Sequence, residues 1–97
     1  MVNILIVDDH LIVREGIRLI LETQDEYCVI GEAENGQEAL SLMETITPDL
    51  ILLDLNMPIL DGLNFLKKLK CAGSEIPVII LTTYNENHLL IEAIELG

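Results

Sequence analysis

The stretch Asp49-Leu50-Ile51-Leu52-Leu53-Asp54-Leu55-Asn56-Met57-Pro58 is an apolar run of strand length that closes on a carboxylate. A continuous hydrophobic run without polar alternation is the pattern of a strand buried on both faces, as parallel sheets bury theirs. Pro58 then breaks the strand, because it cannot donate to a ladder. Working outward, a second run, Ile4-Leu5-Ile6-Val7, ends in the pair Asp8-Asp9. Open α/β sheets carry their sites outside the carboxyl ends of their strands. Two such strands side by side would bring Asp8, Asp9 and Asp54 together.

Taken in order, the chain alternates strand and helix patterns. A strand over Val2–Val7 is followed by a helix from about Leu11 to Thr23, in which Val13, Ile17, Ile20 and Leu21 form one apolar stripe. Gly16 beside that stripe would let this helix approach the sheet closely. A second strand over Tyr27–Ala33 is interrupted by Gly31. Asn35 and Glu38 have the spacing of a capping box, and the helix they open carries Ala39, Met43 and Ile46 inward and ends before Pro48. Leu50–Leu53 is the third strand, with Asp54 at its tip. Asp61 caps a third helix, with Leu63, Leu66 and Leu69 inward and Lys67, Lys68 and Lys70 outward, and Gly73-Ser74 ends it. Val78–Leu81 is a fourth strand closing on Thr82-Thr83. Asn85 or Asn87 caps a last helix with Leu90, Ala93 and Ile94 on one face. Alternation of this kind predicts an α/β fold with a parallel sheet and helices on both faces. Right-handed crossovers and a flavodoxin-like topology give the strand order 2-1-3-4, with the switch point between the first and third strands.

Composition narrows the function classes. The chain has 97 residues, enough for one domain. Apolar residues make up 51%, but only 3% are aromatic, so the core must be aliphatic. A formal net charge of −12 argues against this segment gripping nucleic acid or an anionic membrane by itself. No apolar run nears the roughly 18 residues of a membrane span, and the N-terminus goes straight into a strand pattern rather than a signal peptide. A cytoplasmic location is expected. Cys28 and Cys71 lack metal-site spacing and read as free thiols, buried or half-buried. The acids Glu32, Glu34, Glu38 and Glu44 read as solvated surface, and His10 as a loop or helix-start residue.

Three crowded carboxylates repel one another unless a cation sits among them. Magnesium takes oxygen ligands, keeps several waters and binds one or two carboxylates plus a phosphate oxygen. The cluster therefore predicts Mg2+ with a position open to a phosphoryl group. Taken singly, these acids read as helix caps and solvated strand ends, Asp9 being a fair cap candidate.

Asp8-Asp9, the run Asp49–Asp54 followed by Met57-Pro58 and Asp61-Gly62, and Leu81-Thr82-Thr83 together resemble the receiver domain of bacterial response regulators. Val7-Asp8-Asp9-His10 and Arg14-Glu15-Gly16 are most similar to the LuxR-type (NarL/FixJ) subclass, whose receivers usually precede a helix-turn-helix domain. The resemblance covers the whole chain. It implies that Asp54 is the phosphoacceptor for a sensor histidine kinase. It implies that Asp9, Asp54 and the backbone carbonyl of Asn56 bind Mg2+ with Asp8 close by. Thr82 is then the switch hydroxyl, and Asn56, Thr83 and Tyr84 tune the lifetime of the acyl phosphate.

The family pattern continues past Gly97 with a fifth strand, a Lys that contacts the phosphoryl group, an aromatic switch residue and a fifth helix. The chain is therefore expected to be a C-terminally incomplete receiver over residues 1–97. Self-association through the edge of the fourth strand or the fourth helix is expected, with DNA contacted only by an output domain outside this sequence. Three other classes compete. An aspartyl-phosphate phosphohydrolase needs an acid two residues after its nucleophile, where Asn56 stands. A flavodoxin-type carrier needs a phosphate loop where Asp8-Asp9-His10 stands. A degenerate receiver would serve only as an interaction scaffold.

Overall fold

The computed structural model describes residues 1–55 and 59–81. The elements run β1 (Val2–Val7), α1 (Leu11–Glu22), β2 (Tyr27–Ala33), α2 (Gly36–Leu42), β3 (Leu50–Asp54), α3 (Gly62–Cys71) and β4 (Val78–Leu81). The strands are parallel in the order β2-β1-β3-β4, as the alternating pattern predicts. The expected helix beyond Thr82 lies outside the described residues.

Register follows from which side chains must be buried. Ile4 pairs with Leu50 and Val7 with Leu53, so the two most apolar strands are adjacent. One position further along each strand lie Asp8 and Asp54. On the other side of β1, the register slips between Ile4, which pairs with Val29, and Leu5, which pairs with Gly31. Ile30 is the extra residue of this bulge. A Cβ at Gly31 would stand 3.1 Å from the Ile46 side chain and 3.3 Å from that of Leu5.

Successive strand residues face opposite sides of the sheet, and two cores result. Leu5, Val7, Ile51 and Leu53 pack with Ala39 of α2 and with Leu63, Phe65, Leu66 and Leu69 of α3. Ile4, Ile6 and Leu52 pack on the opposite face with Ile17 and Leu21 of α1. The expected stripe on α3 is therefore correct, although it omits Phe65, which is fully buried. The expected stripe on α1 needs correction: Val13 is 41% exposed and Ile20 is 69% exposed. The side toward the sheet carries Arg14, Ile17 and Leu21 instead, spaced i, i+3, i+7. An arginine can occupy that line because its head group is neutralised and hydrogen-bonded there. Hydropathy alone ranks it as the outward residue.

Local signals set the helix ends. Asn35 Oδ1 accepts from the Glu38 N–H at 2.8 Å, and Asp61 Oδ1 accepts from the Asn64 N–H at 2.8 Å. The α1 N-cap is His10 rather than Asp9, with no side-chain capping bond. α2 stops at Leu42, earlier than the expected end before Pro48. There the Thr45 hydroxyl donates to the Leu42 carbonyl at 3.1 Å and takes up one of the last helical acceptors. α3 ends in a Schellman motif. Gly73 has a φ of +79° and donates to the Lys70 carbonyl, while Ser74 donates to that of Leu69. Cys28 is half-buried but Cys71 is exposed at the end of α3, contrary to the expectation of two covered thiols.

Two glycines behave oppositely. A Cβ on Gly62 would lie 2.2 Å from the Asp54 backbone oxygen, so α3 starts hard against the end of β3. A Cβ on Gly16 would meet nothing within 4 Å, so Gly16 does not serve the close approach expected of it. Gly62→Ala should destabilise the chain by about 1–3 kcal/mol through overpacking against backbone. Gly16→Ala, in an exposed helix interior, should stabilise it by about 0.5–1 kcal/mol. Urea unfolding of both variants checks the pair, and a Gly62→Ala protein as stable as the parent would contradict the close contact.

Candidate functional site

The ends of β1 and β3 place Asp8 and Asp54 beside each other, both nearly inaccessible at 4% and 3% exposure. Asp9 and His10 continue from Asp8 into the turn before α1. Asp8, Asp9, His10 and Asp54 each present a donor atom, and these four atoms lie within 4.8 Å of one another. The structure thus unites the three carboxylates read from the sequence, and His10, expected as a loop or helix-start residue, joins them. Asn56, Thr82, Thr83 and Tyr84, the other expected site residues, lie outside the described residues.

Each side chain has a structural reason for its place. Asp8 Oδ1 accepts from the His10 backbone N–H at 2.8 Å and lies 3.0 Å from His10 Nδ1. That Asx-type turn folds the chain back over the strand end. The backbone N–H of Asp8 donates to the Ala33 carbonyl at 3.0 Å, tying the turn to β2. Asp54 is held from below by Gly62, whose N–H donates to the Leu55 carbonyl at 3.2 Å. The loop entering α3 contains Ile59 at a φ of +68°, a conformation that costs a β-branched residue about 1–3 kcal/mol. Its neighbour Leu60 is anchored through its carbonyl to the Gly36 N–H at 2.8 Å.

The donor set suits a hard divalent cation. Three carboxylates supply oxygen ligands. Asp9 Oδ1 is buried and accepts no hydrogen bond, though it lies 3.0 Å from His10 Nδ1. A buried carboxylate oxygen without a donor needs a positive neighbour, a place that protonated His10 or a bound cation can fill. The cluster can therefore coordinate a divalent metal ion.

Sequence reasoning missed Arg14 and Glu32. Arg14 is 6% exposed, its Nη1 donates to the Asp8 carbonyl oxygen at 2.5 Å, and its Nε donates to Glu32 Oε1 at 3.2 Å. Glu32 also pairs with Arg18, so it is not part of a solvated face. The available signal was an arginine exactly in line with Ile17 and Leu21, where a buried guanidinium needs an acid partner.

His10 is held protonated to higher pH than its ordinary value of 6.5, first by its hydrogen bond to Asp8 and then by the charges of Asp9 and Asp8. A raised pKa in the fold stabilises most fully below the unfolded value, and this contribution disappears as pH rises through the folded midpoint. Without divalent cations, NMR titration of the His10 ring should give a midpoint above 6.5, and Asp8→Asn should lower it. A midpoint insensitive to Asp8→Asn would contradict the contact.

Comparison with known proteins agrees with this geometry. The family model described as the response regulator receiver domain matches residues 4–97. The transcriptional regulatory protein YdfI of Bacillus subtilis (strain 168) is 57% identical over 95 residues, covering 98% of this chain and 44% of that protein. The chain thus spans less than half the length of this curated relative. Among solved structures, a LuxR-family two-component response regulator from Aurantimonas sp. SI85-9A1 superposes with a TM-score of 0.90 at 32% identity, covering 100% of this chain and 69% of that one. The REC domain of AraT, a response regulator from Geobacillus stearothermophilus, gives 0.85 at 39% identity, covering 99% and 75%. No helix among the described residues is long and apolar enough to cross a membrane. With a receiver fold, a carboxylate cluster at its strand ends and a family match over nearly its full length, the chain belongs to the response regulator receiver domain family, the phosphoacceptor modules of two-component signalling.

Proposed function

We propose that Asp54 accepts a phosphoryl group from a phosphohistidine of a sensor kinase, with Asp8, Asp9 and Asp54 holding Mg2+. The observation that carries this is the meeting of three carboxylates and His10 within 4.8 Å at adjacent strand ends. An ionised carboxylate needs no base to attack phosphorus. A new O–P bond forms at Asp54 as the P–N bond of the donor breaks, and the departing imidazole takes up a proton. When bound, the metal neutralises charge gathering on the transferring oxygens. The chain's own contribution is positional: β3 presents Asp54 almost fully buried, and Gly62 fixes its backbone.

The product places about two negative charges in the pocket. Thr82, directly after Leu81, is the proposed switch hydroxyl, and Leu81 pairs with Asp54 itself. Asn56, whose backbone carbonyl is a further proposed metal ligand, joins Thr83 and Tyr84 in tuning hydrolysis of the acyl phosphate. YdfI is named a transcriptional regulatory protein, and LuxR-family regulators are among the structural matches. These support control of a DNA-binding output domain by phosphorylation, and a cytoplasmic location is part of the same proposal. Self-association through β4 remains part of the proposal, since Ile79 on this outermost described strand is 51% exposed.

Incubation with a small acyl-phosphate donor, followed by intact-mass analysis, tests the assignment. One phosphoryl group should be added in the presence of Mg2+. None should be added without Mg2+ or in Asp54→Asn. Magnesium-independent labelling, or labelling that survives Asp54→Asn, would remove Asp54 from this role. Cation binding without labelling would favour a receiver that acts as a scaffold.

A further inference from the structure

Arg14 occupies a position that the acid pocket does not explain by charge alone. It lies in the first turn of α1, and helical side chains lean toward their N-terminus, which directs its head group to the β1–α1 turn. The guanidinium is buried and joins three segments. Nη1 donates to the Asp8 carbonyl at 2.5 Å, Nε to Glu32 Oε1 of β2 at 3.2 Å, and Nη2 lies 3.9 Å from Glu34 Oε1.

The accepting carbonyl belongs to the peptide unit that joins Asp8 to Asp9. A peptide unit is planar. Holding its oxygen therefore sets the direction in which the chain leaves Asp8 and the place where Asp9 Cα falls. The N–H of Asp8 is held independently by Ala33 on β2. Between them, these two bonds leave little freedom at the junction of the two acids. We propose that Arg14 is a positioning residue for the cation site: by fixing the Asp8–Asp9 peptide plane against Glu32, it sets Asp9 opposite Asp54 without touching the cation.

Electrostatics and positioning make opposite predictions. Arg14 is a positive charge close to an acidic pocket, so its removal should by Coulomb's law tighten cation binding. If its function is to hold the peptide plane, removal should loosen the site and weaken binding. Groups that orient metal ligands typically contribute about 10–100-fold in affinity. Arg18 still pairs with Glu32 when Arg14 is replaced, so no buried acid is left without a cation.

This inference rests on the pocket being a divalent-cation site, and Mn2+ binding read by electron paramagnetic resonance separates the two claims. Failure of the parent chain to bind Mn2+, or full binding by Asp54→Asn, overturns the site itself and this inference with it. Given a binding parent, Arg14→Met should weaken Mn2+ by about 10-fold or more, with the Asp9 amide resonance shifted in the metal-free protein. Unchanged or tighter binding, in a variant that still melts cooperatively, overturns the positioning role and leaves the site intact. Should Arg14→Met fail to fold, Arg14→Lys decides. It keeps the charge but loses the planar fork that reaches the carbonyl and Glu32 together, so weaker binding supports the proposal and parental affinity overturns it.

Discussion

Parallel pairing of β1 with β3, from Ile4 against Leu50 to Val7 against Leu53, is the constraint on which the remaining structure depends. Both strands are buried on both faces, so neither can slip by one residue without turning apolar side chains out of one core and into the other. Once that register is set, the carboxylates that follow are forced together. The apolar runs supply the favourable free energy, and the crowding of charge at their ends is its consequence. Burial of each Leu or Ile along these strands contributes about 1.5–3 kcal/mol, which is enough to hold acids that would otherwise separate.

The surroundings of the acids divide into holding and balancing parts. Holding comes from backbone: Ala33 accepts from the Asp8 N–H, Gly62 abuts the Asp54 carbonyl, and Leu60 is anchored to Gly36 at the start of α2. The strained φ of Ile59 lies in the same loop, next to the Leu60 carbonyl that Gly36 holds. Arg14 adds to the holding by donating to the Asp8 carbonyl, and balancing comes from His10, whose exposed ring lies 3.0 Å from both Asp8 Oδ1 and Asp9 Oδ1.

Glu32 connects the two halves of this arrangement. It accepts from Arg14 and pairs with Arg18, so one acid on β2 is shared by two arginines of α1. α1 thereby meets the sheet through Ile17 and Leu21 along its length and through a charged clamp near its start. The packing of this helix and the geometry of the acid pocket are consequently one structural problem.

The alternating strand and helix patterns, the strand order, the helix caps at Asn35 and Asp61 and the grouping of Asp8, Asp9 and Asp54 were all legible in the amino-acid sequence. Each depends on local rules: apolar runs for buried strands, i, i+3, i+4 spacing for helix faces, and short polar side chains for caps. Tertiary structure alone decided that Arg14 faces inward while Val13 and Ile20 face out, that Gly62 rather than Gly16 makes the close approach, and that His10 joins the acids. A charged side chain is buried only where a distant residue neutralises it, and a glycine is required only where another segment's backbone arrives. Hydropathy and spacing describe one element at a time, whereas the partners Glu32 and Asp54 come from other strands and meet these residues only after the sheet has formed.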